Sequence, residues 1–223
     1  MKTITINKIT TTPPLNGDWN HECWNVAETL EINQFRPEGS GHQPTTEARL
    51  LYDKNGVHLI FRVQDQYVRS VQTEFNSSVC SDSCVEFFVK PKEDKGYINF
   101  EMNCGGTLLA SYIEDCRRID GGFAKYQMLS VADEQMASIY HSMPETVNPE
   151  IAEPTTWINQ IFIPFKLFEK YVGELGSISG QTWHANFYKC GDKTSHPHWA
   201  SWNPVTALNF HLPECFGILN FKE

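Results

Sequence analysis

A chain of 223 residues, 40% hydrophobic and 20% charged, has the composition of a globular protein and enough length for one β-sandwich domain over residues 1–223. Its formal charge of −9, with no basic patch, argues against nucleic acid or an anionic membrane surface as partner. No apolar run approaches the roughly 20 residues a membrane span needs. The N-terminal MKTITINKIT has no apolar signal core, so the chain reads as cytoplasmic if complete and as periplasmic or secreted if trimmed.

In chain order, residues 1–15 read as a polar, Thr-rich lead-in ending at Pro13-Pro14. Trp19 and Trp24 then flank a turn at Asn16-Gly17-Asp18, and Val26–Ile32 reads as a strand. Residues 34–46 form a loop by composition. Thr46–Tyr52 and Val57–Val63 form a hairpin across Asp53-Lys54-Asn55-Gly56, where Asn-Gly is a strong turn signal. Residues 65–81 read as irregular.

The central element is a second hairpin from Asp82 to Asn103. In its later strand Ile98, Phe100 and Met102 alternate with Tyr97, Asn99, Glu101 and Asn103, so one face is apolar and the other polar. In its earlier strand Val85, Phe87 and Val89 alternate with Cys84, Glu86, Phe88 and Lys90. If the apolar sets share the core, Glu86, Asn99, Glu101 and Asn103 share the opposite face.

Beyond it, Thr107–Asp115 reads as a strand, 116–134 as a loop, Ala137–Ser142 as a short strand and 143–154 as a linker. Thr156–Ile163 is a strand. Then the period changes, since Phe165, Phe168 and Val172 follow helical spacing between Pro164 and Gly173. Thr182–Cys190 and Phe216–Phe221 close the set. Many short strands and one short covering helix predict an all-β fold, an antiparallel sandwich of two sheets. Its expected core holds Val57, Leu59, Phe61, Val85, Phe87, Ile98, Phe100, Ile161, Ile163 and Phe187. The seven cysteines contain no C-x-x-C and read as reduced, mostly buried thiols.

Five motifs stand in order along the chain: LNGDWNHECW, DSCVEFFVKP, WHANFYKCGD, SWNP and NFHLPECFGILNF. Together they resemble the family 9 carbohydrate-binding modules over about residues 15–221, and more closely their stand-alone bacterial relatives. The resemblance implies a two-sheet sandwich, non-catalytic binding of oligo- or polysaccharide, no required cofactor, and structural calcium in some members. It also implies a grip on a terminal sugar between two Trp side chains, one just before a D-S-x-E element. Here Val79 and Cys80 stand in that neighbourhood, and half of the aromatic clamp is missing.

The residue chemistry supports a sugar site on its own terms. A pyranose offers apolar C–H faces and hydroxyl edges, so it needs an aromatic platform with paired donors and acceptors. Arg62, Glu86, Asn99, Glu101, Asn103 and Asn186 are the edge candidates, with Tyr188 nearby and Trp199 or Trp202 as platform. A second reading is a glycoside hydrolase acting on xylan-like polysaccharide, with Glu86 and Glu101 as the carboxylate pair. Two metal readings also follow. Asn16 and Asp18 suit a hard cation such as calcium, and Cys190, His196 and His198 suit zinc. A haem reading would use Met102 with His58 or His184.

Overall fold

The computed structural model describes residues 1–222. The chain opens with β1 (Thr3–Lys8), a 3₁₀ turn at Glu22–Val26, then the short strands β2 (Thr29–Glu31) and β3 (Gln34–Phe35). The Asn-Gly hairpin is β4 (Thr45–Tyr52) and β5 (Gly56–Asp65), followed by β6 (Val68–Ser70). Asp53 Oδ1 accepts the Asn55 and Gly56 amides at 2.7 and 3.1 Å, which fixes the turn. The central hairpin is β7 (Cys84–Lys90) and β8 (Tyr97–Asn103).

After it come β9 (Leu108–Ile119), β10 (Gly122–Met128), helix α1 (Val131–Glu134), β11 (Ser138–His141), β12 (Val147–Ile151) and β13 (Thr155–Pro164). Helix α2 (Phe165–Val172) precedes β14 (Thr182–Cys190), β15 (Trp199–Ser201) and β16 (Gly217–Phe221). Pro164 opens α2 and Gly173, at φ 76°, stops it, as the spacing predicts.

The strands form one large sheet in the order β10-β9-β8-β7-β14-β16-β1-β4-β5-β13-β11, and β12 with β6 form a separate ribbon. Its two limbs meet at β1. Thr3–Ile6 run parallel to β16 and Asn7–Lys8 run parallel to β4. The expectation of purely antiparallel sheets is therefore corrected to a mixed sheet. The lead-in reading of residues 1–15 hid this strand, because its threonines mask the alternation of buried Ile4 and Ile6 with Thr3, Thr5 and Asn7.

One apolar core lies between the limbs, and all ten residues expected there belong to it. Phe61 on β5 meets Phe187 on β14 across the gap, with ring centroids 6.4 Å apart. α2 covers one end with Phe165, Leu167, Phe168 and Val172. Several local readings change: residues 34–46, 65–81 and 143–154, read as loop, irregular chain and linker, carry the short strands β3, β6 and β12, and α1 is a second helix beside the one expected. Val26–Ile32 splits into the end of the 3₁₀ turn and β2. The supposed loop at 116–134 is mostly the rest of a long hairpin, which turns at Asp120 and Gly121, both at positive φ.

A polar cluster crosses the core at one end. Lys189, fully buried on the inner face of β14, places Nζ 3.3 Å from Asp65 Oδ2 at the end of β5. Asp65 also lies 2.7 Å from His42 Nε2 and accepts from Trp157 Nε1 at 3.2 Å. Lys189 Nζ donates to His198 Nε2 at 2.7 Å and to the Cys190 carbonyl at 3.0 Å. The ammonium thus meets three acceptors, Asp65, His198 and the Cys190 carbonyl, as burial of charge demands.

Candidate functional site

Antiparallel register sets the outer face of β8, β7, β14 and β15 as a grid. One transverse row runs Asn103, Cys84, Cys190, Trp199. The next runs Glu101, Glu86, Tyr188, Ser201, and a third runs Asn99, Phe88, Asn186. The strand period of two puts all of these opposite the core side chains. The polar face read from the sequence is real, but most of it is covered. The segment between Trp202 and Cys215 lies over it, held where Asn186 Nδ2 donates to the Asn203 and Cys215 carbonyls at 2.9 and 3.3 Å. Tyr188 OH donates to the Phe210 carbonyl at 2.9 Å, and its ring stacks on Phe210 at 4.0 Å.

What stays open is a cleft of about 330 Å³ lined by Cys80, Glu86, Glu101, Arg118, Cys190, Asp192, Trp199 and the Leu208–His211 stretch. Glu86 and Glu101 sit at its floor, 2% and 6% exposed. Asn99 Nδ2 donates to Glu101 Oε1 at 2.7 Å, while its own Oδ1 accepts the Ser111 amide at 3.0 Å. Burial pushes the Glu86 carboxyl well above the ordinary carboxylate range, and the neighbouring Glu101 raises it further. Burial raises Glu101 too, against the Asn99 hydrogen bond. The floor therefore favours a proton on this pair, and protonated carboxyls both donate and accept hydrogen bonds.

Trp199 stands half-buried at the rim, its Nε1 donating to Asp192 Oδ1 at 2.7 Å. On the other side, the loop bearing His211 is fixed by contacts of its own. His211 Nδ1 lies 2.8 Å from Tyr97 OH, and Asn209 Oδ1 accepts the His211 amide at 3.0 Å. Asn209 and His211 thus fix this loop through their side chains. Burial pushes the His211 ring down to about 3, with Arg118 adding to the effect, so it stands neutral.

The structure gathers Glu86, Glu101 and Trp199 in the cleft, with Asn99 behind Glu101. It does not bring the other candidates there. Asn186 and Tyr188 are fully buried beneath the covering segment. Asn103 ties down a turn, since its Nδ2 donates to the Gln72 carbonyl and Asp82 Oδ2 while its Oδ1 accepts the Thr107 amide. Arg62 lies on the other limb, paired with Glu47 Oε2 at 2.6 Å and laid over the Trp19 ring at 4.5 Å. Trp202 follows Trp199 by three residues, which turns it to the opposite face, and it packs in the core against Phe187. The parity that keeps Trp199 outside decides between the two tryptophans.

Cleft residues that the sequence reading did not single out are Arg118, Asp192, Leu208 and Phe210. The first arrives on the extension of β9 that was read as loop. Cys80 lines the wall and Val79 is buried beside Cys84 and Cys190, so this neighbourhood offers sulfur where an aromatic platform was expected. Phe75, the nearest aromatic in sequence, packs on the core instead.

The metal candidates also rearrange. Asn16 Oδ1 accepts the Asp18 amide and Asp18 Oδ1 accepts the Asn20 amide, at 3.1 and 3.0 Å, on an exposed turn. Each of these oxygens serves the turn, and the pair alone supplies few of the six to eight oxygens a calcium ion takes. Cys190, His196 and His198 do not converge, because His198 turns inward to Lys189 and Cys190 turns outward to Glu86. Met102 is buried in the core, and His58 and His184 pair with Asp53 and Glu93, so no haem ligand pair forms among them. A larger cavity of about 570 Å³ lies between the β4–β5 turn and α2, lined by Lys8, Lys54 and Lys166 among others. Its lining also holds Tyr52, Phe162, Phe165 and the buried carboxyl of Asp53, but that carboxyl is taken up by the Asn55 and Gly56 amides and by His58, whereas Glu86 and Glu101 stand together on the floor of the smaller cleft.

Fold and site together define a β-rich binding module with one small, acid-floored cleft on the outer face of its sheet. The chain belongs to carbohydrate-binding family 9, whose profile matches residues 23–221. No curated protein sequence matches it significantly. Among solved structures it is similar to a candidate carbohydrate-binding protein from Bacteroides uniformis ATCC 8492, with 29% identity, 99% of each chain covered and a TM-score of 0.82. It is also similar to a family 9 carbohydrate-binding module from Caldicellulosiruptor kristjanssonii. The structure of that module with cellotriose gives 14% identity, 99% of this chain and 94% of the other covered, and a TM-score of 0.67. The structure with glucose gives 14% identity, 99% and 96% covered, and a TM-score of 0.63. At that identity the likeness to the Caldicellulosiruptor module is one of fold.

Proposed function

We propose that this protein, a single two-layered β domain, binds carbohydrate without cleaving it in the cleft floored by Glu86 and Glu101 and rimmed by Trp199. Membership of carbohydrate-binding family 9 is the observation that carries this reading. The cleft supports it, since it pairs an aromatic face with hydrogen-bonding carboxyls. Its volume is at the small end of the range of about 300–1,000 Å³ usual for ligand sites. That favours one or two sugar rings at a chain end over the side of a long polymer. Trp199 supplies the face, Glu86 and Glu101 take hydroxyls at the floor, and Asp192 and Arg118 stand at the edges. Hydrogen bonding and stacking suffice for such binding, and no cofactor enters it.

The hydrolase reading draws on the same carboxyl pair. It needs one carboxyl protonated as acid and the other ionised as base or nucleophile. Burial pushes both of these toward the neutral form, with repulsion from Glu101 adding to the shift at Glu86 and from Asp192 at Glu101, and the neutral form serves hydrogen bonding better than nucleophilic attack. Calorimetry with glucose, cellotriose and xylotriose tests the binding, and release of reducing ends from the trisaccharides tests turnover. Binding without release, weakened at least tenfold in Glu86→Gln, supports the proposal. Release of reducing ends by the wild type but not by Glu86→Gln would replace it with the hydrolase.

A further inference from the structure

We propose that Cys84, Cys190 and Glu86 form a binding site for a thiophilic divalent cation of the zinc class, with its fourth position open to the cleft. The register places Cys84 and Cys190 side by side on β7 and β14, and Glu86 follows Cys84 by two residues on the same outer face. The two sulfurs and a carboxylate oxygen all lie within 4.8 Å of one another, and all three residues are buried. Cys190 Sγ donates to Glu86 Oε1 at 3.1 Å, so the ligand atoms already face one another. Zinc bonds sulfur at about 2.3 Å and carboxylate oxygen at about 2.0–2.2 Å, and small displacements turn this triangle into three corners of a tetrahedron.

Two features give the site the anatomy of an accessible metal centre. Cys190 and Glu86 line the cleft, so an ion has a path in and a water or hydroxyl can complete its shell. Behind the triangle, Glu101 sits opposite Glu86 and is itself held by Asn99, which gives the ligating carboxylate an ordered neighbour. Two thiolates and a carboxylate select for zinc over calcium or magnesium, because soft sulfur donors match a softer ion. This site is separate from the Asn16–Asp18 turn and shares only Cys190 with the Cys190, His196, His198 spacing, and it stands whether or not the cleft takes sugar.

The test is titration of the reduced, metal-free full chain with cobalt(II), followed by displacement with zinc. One equivalent of cobalt should give thiolate-to-cobalt charge-transfer bands with tetrahedral ligand-field absorption, and zinc should abolish them stoichiometrically. Cys190→Ala and Cys84→Ser should each lose these bands and bind zinc at least ~100-fold more weakly, beyond the 10–100-fold that loss of an outer contact brings. Cys23→Ser, remote from the cleft, should behave as wild type. Zinc should also raise the melting temperature of the wild type but not of Cys190→Ala. The proposal is overturned if the wild type shows no thiolate band. It is equally overturned if the band persists in Cys190→Ala, or if the purified protein carries Cys84 joined to Cys190 as a disulfide. Sugar binding, measured on the same samples without metal, reports separately on the carbohydrate reading.

Discussion

Replacing Lys189 by methionine is expected to destabilise the fold by about 3–5 kcal/mol, because it strands the Asp65 carboxylate inside the core. The two charges are 3.3 Å apart and both side chains are fully buried. With an effective dielectric constant of about 20, their attraction is about 5 kcal/mol, much of it offset by the loss of water around each. Asp65→Asn should cost a similar amount. The double variant Lys189→Met/Asp65→Asn removes both charges, so its loss should fall short of the sum of the singles by about 2–3 kcal/mol. Urea unfolding followed by tryptophan fluorescence, with midpoints compared at constant slope, measures all four corners of the cycle. Additivity within about 0.5 kcal/mol would refute the idea that this pair braces the limbs. The pair also has an acid signature. Burial alone would raise the Asp65 carboxyl, but the Lys189 ammonium, His42 and His198 hold it well below the ordinary carboxylate range. Its contribution is therefore complete above the unfolded value of 3.8 and fades as the pH falls further. Asp65→Asn should show none of that added loss.

Three further outcomes are expected. Trp199→Ala should weaken sugar binding at least tenfold in calorimetry with little change in melting temperature, whereas Trp202→Ala, a core truncation, should cost about 3–5 kcal/mol in urea; the reverse pattern would move the platform to Trp202. His211 stands near 3 in the fold against an ordinary 6.5, so the unfolded chain takes up its proton first and stability should fall as the pH drops through that interval. His211→Asn should flatten this slope in melts taken across the interval, and an unchanged slope would remove His211 from the account. Truncation at Pro213 removes β16, which is paired on both sides, together with buried Phe216, Leu219 and Phe221. At about 1.5–3 kcal/mol for each side chain against a total of about 5–15, the shortened chain should be unfolded by circular dichroism.

Alternation carried most of what the sequence could show. Ile98, Phe100 and Met102 against Asn99 and Glu101 sorted β8 into its two faces correctly, since a strand leaves only two choices and a core accepts one. The family resemblance rested on motifs that include the site's own DSCVEFF segment, and it led to the right family. What could not be read was tertiary. Nothing local in Asn186 or Tyr188 announces that a segment some twenty residues later will cover them. Arg62 shares its residue type with sugar-binding sites, and only the sheet order shows it on the wrong limb. The choice between Trp199 and Trp202 was legible in principle from parity, given where β15 begins. β1 escaped because six residues with three threonine or asparagine side chains look like solvent-facing chain until two partner strands are in view.

The joint made by β1 also bears on how the molecule comes into being. As the chain emerges during synthesis, Thr3 appears long before its partner in the sheet, Ile218. The hairpins of each limb can close early, since their contacts are local. The seam between limbs must wait until β16 has been made, and until then β1 has only its two-residue pairing with β4. A growing chain of this kind is at its most exposed just before β16 emerges, with an apolar-edged strand β1 free to pair with another chain. Cellular folding factors that shelter unpaired strands would find their substrate at this late stage.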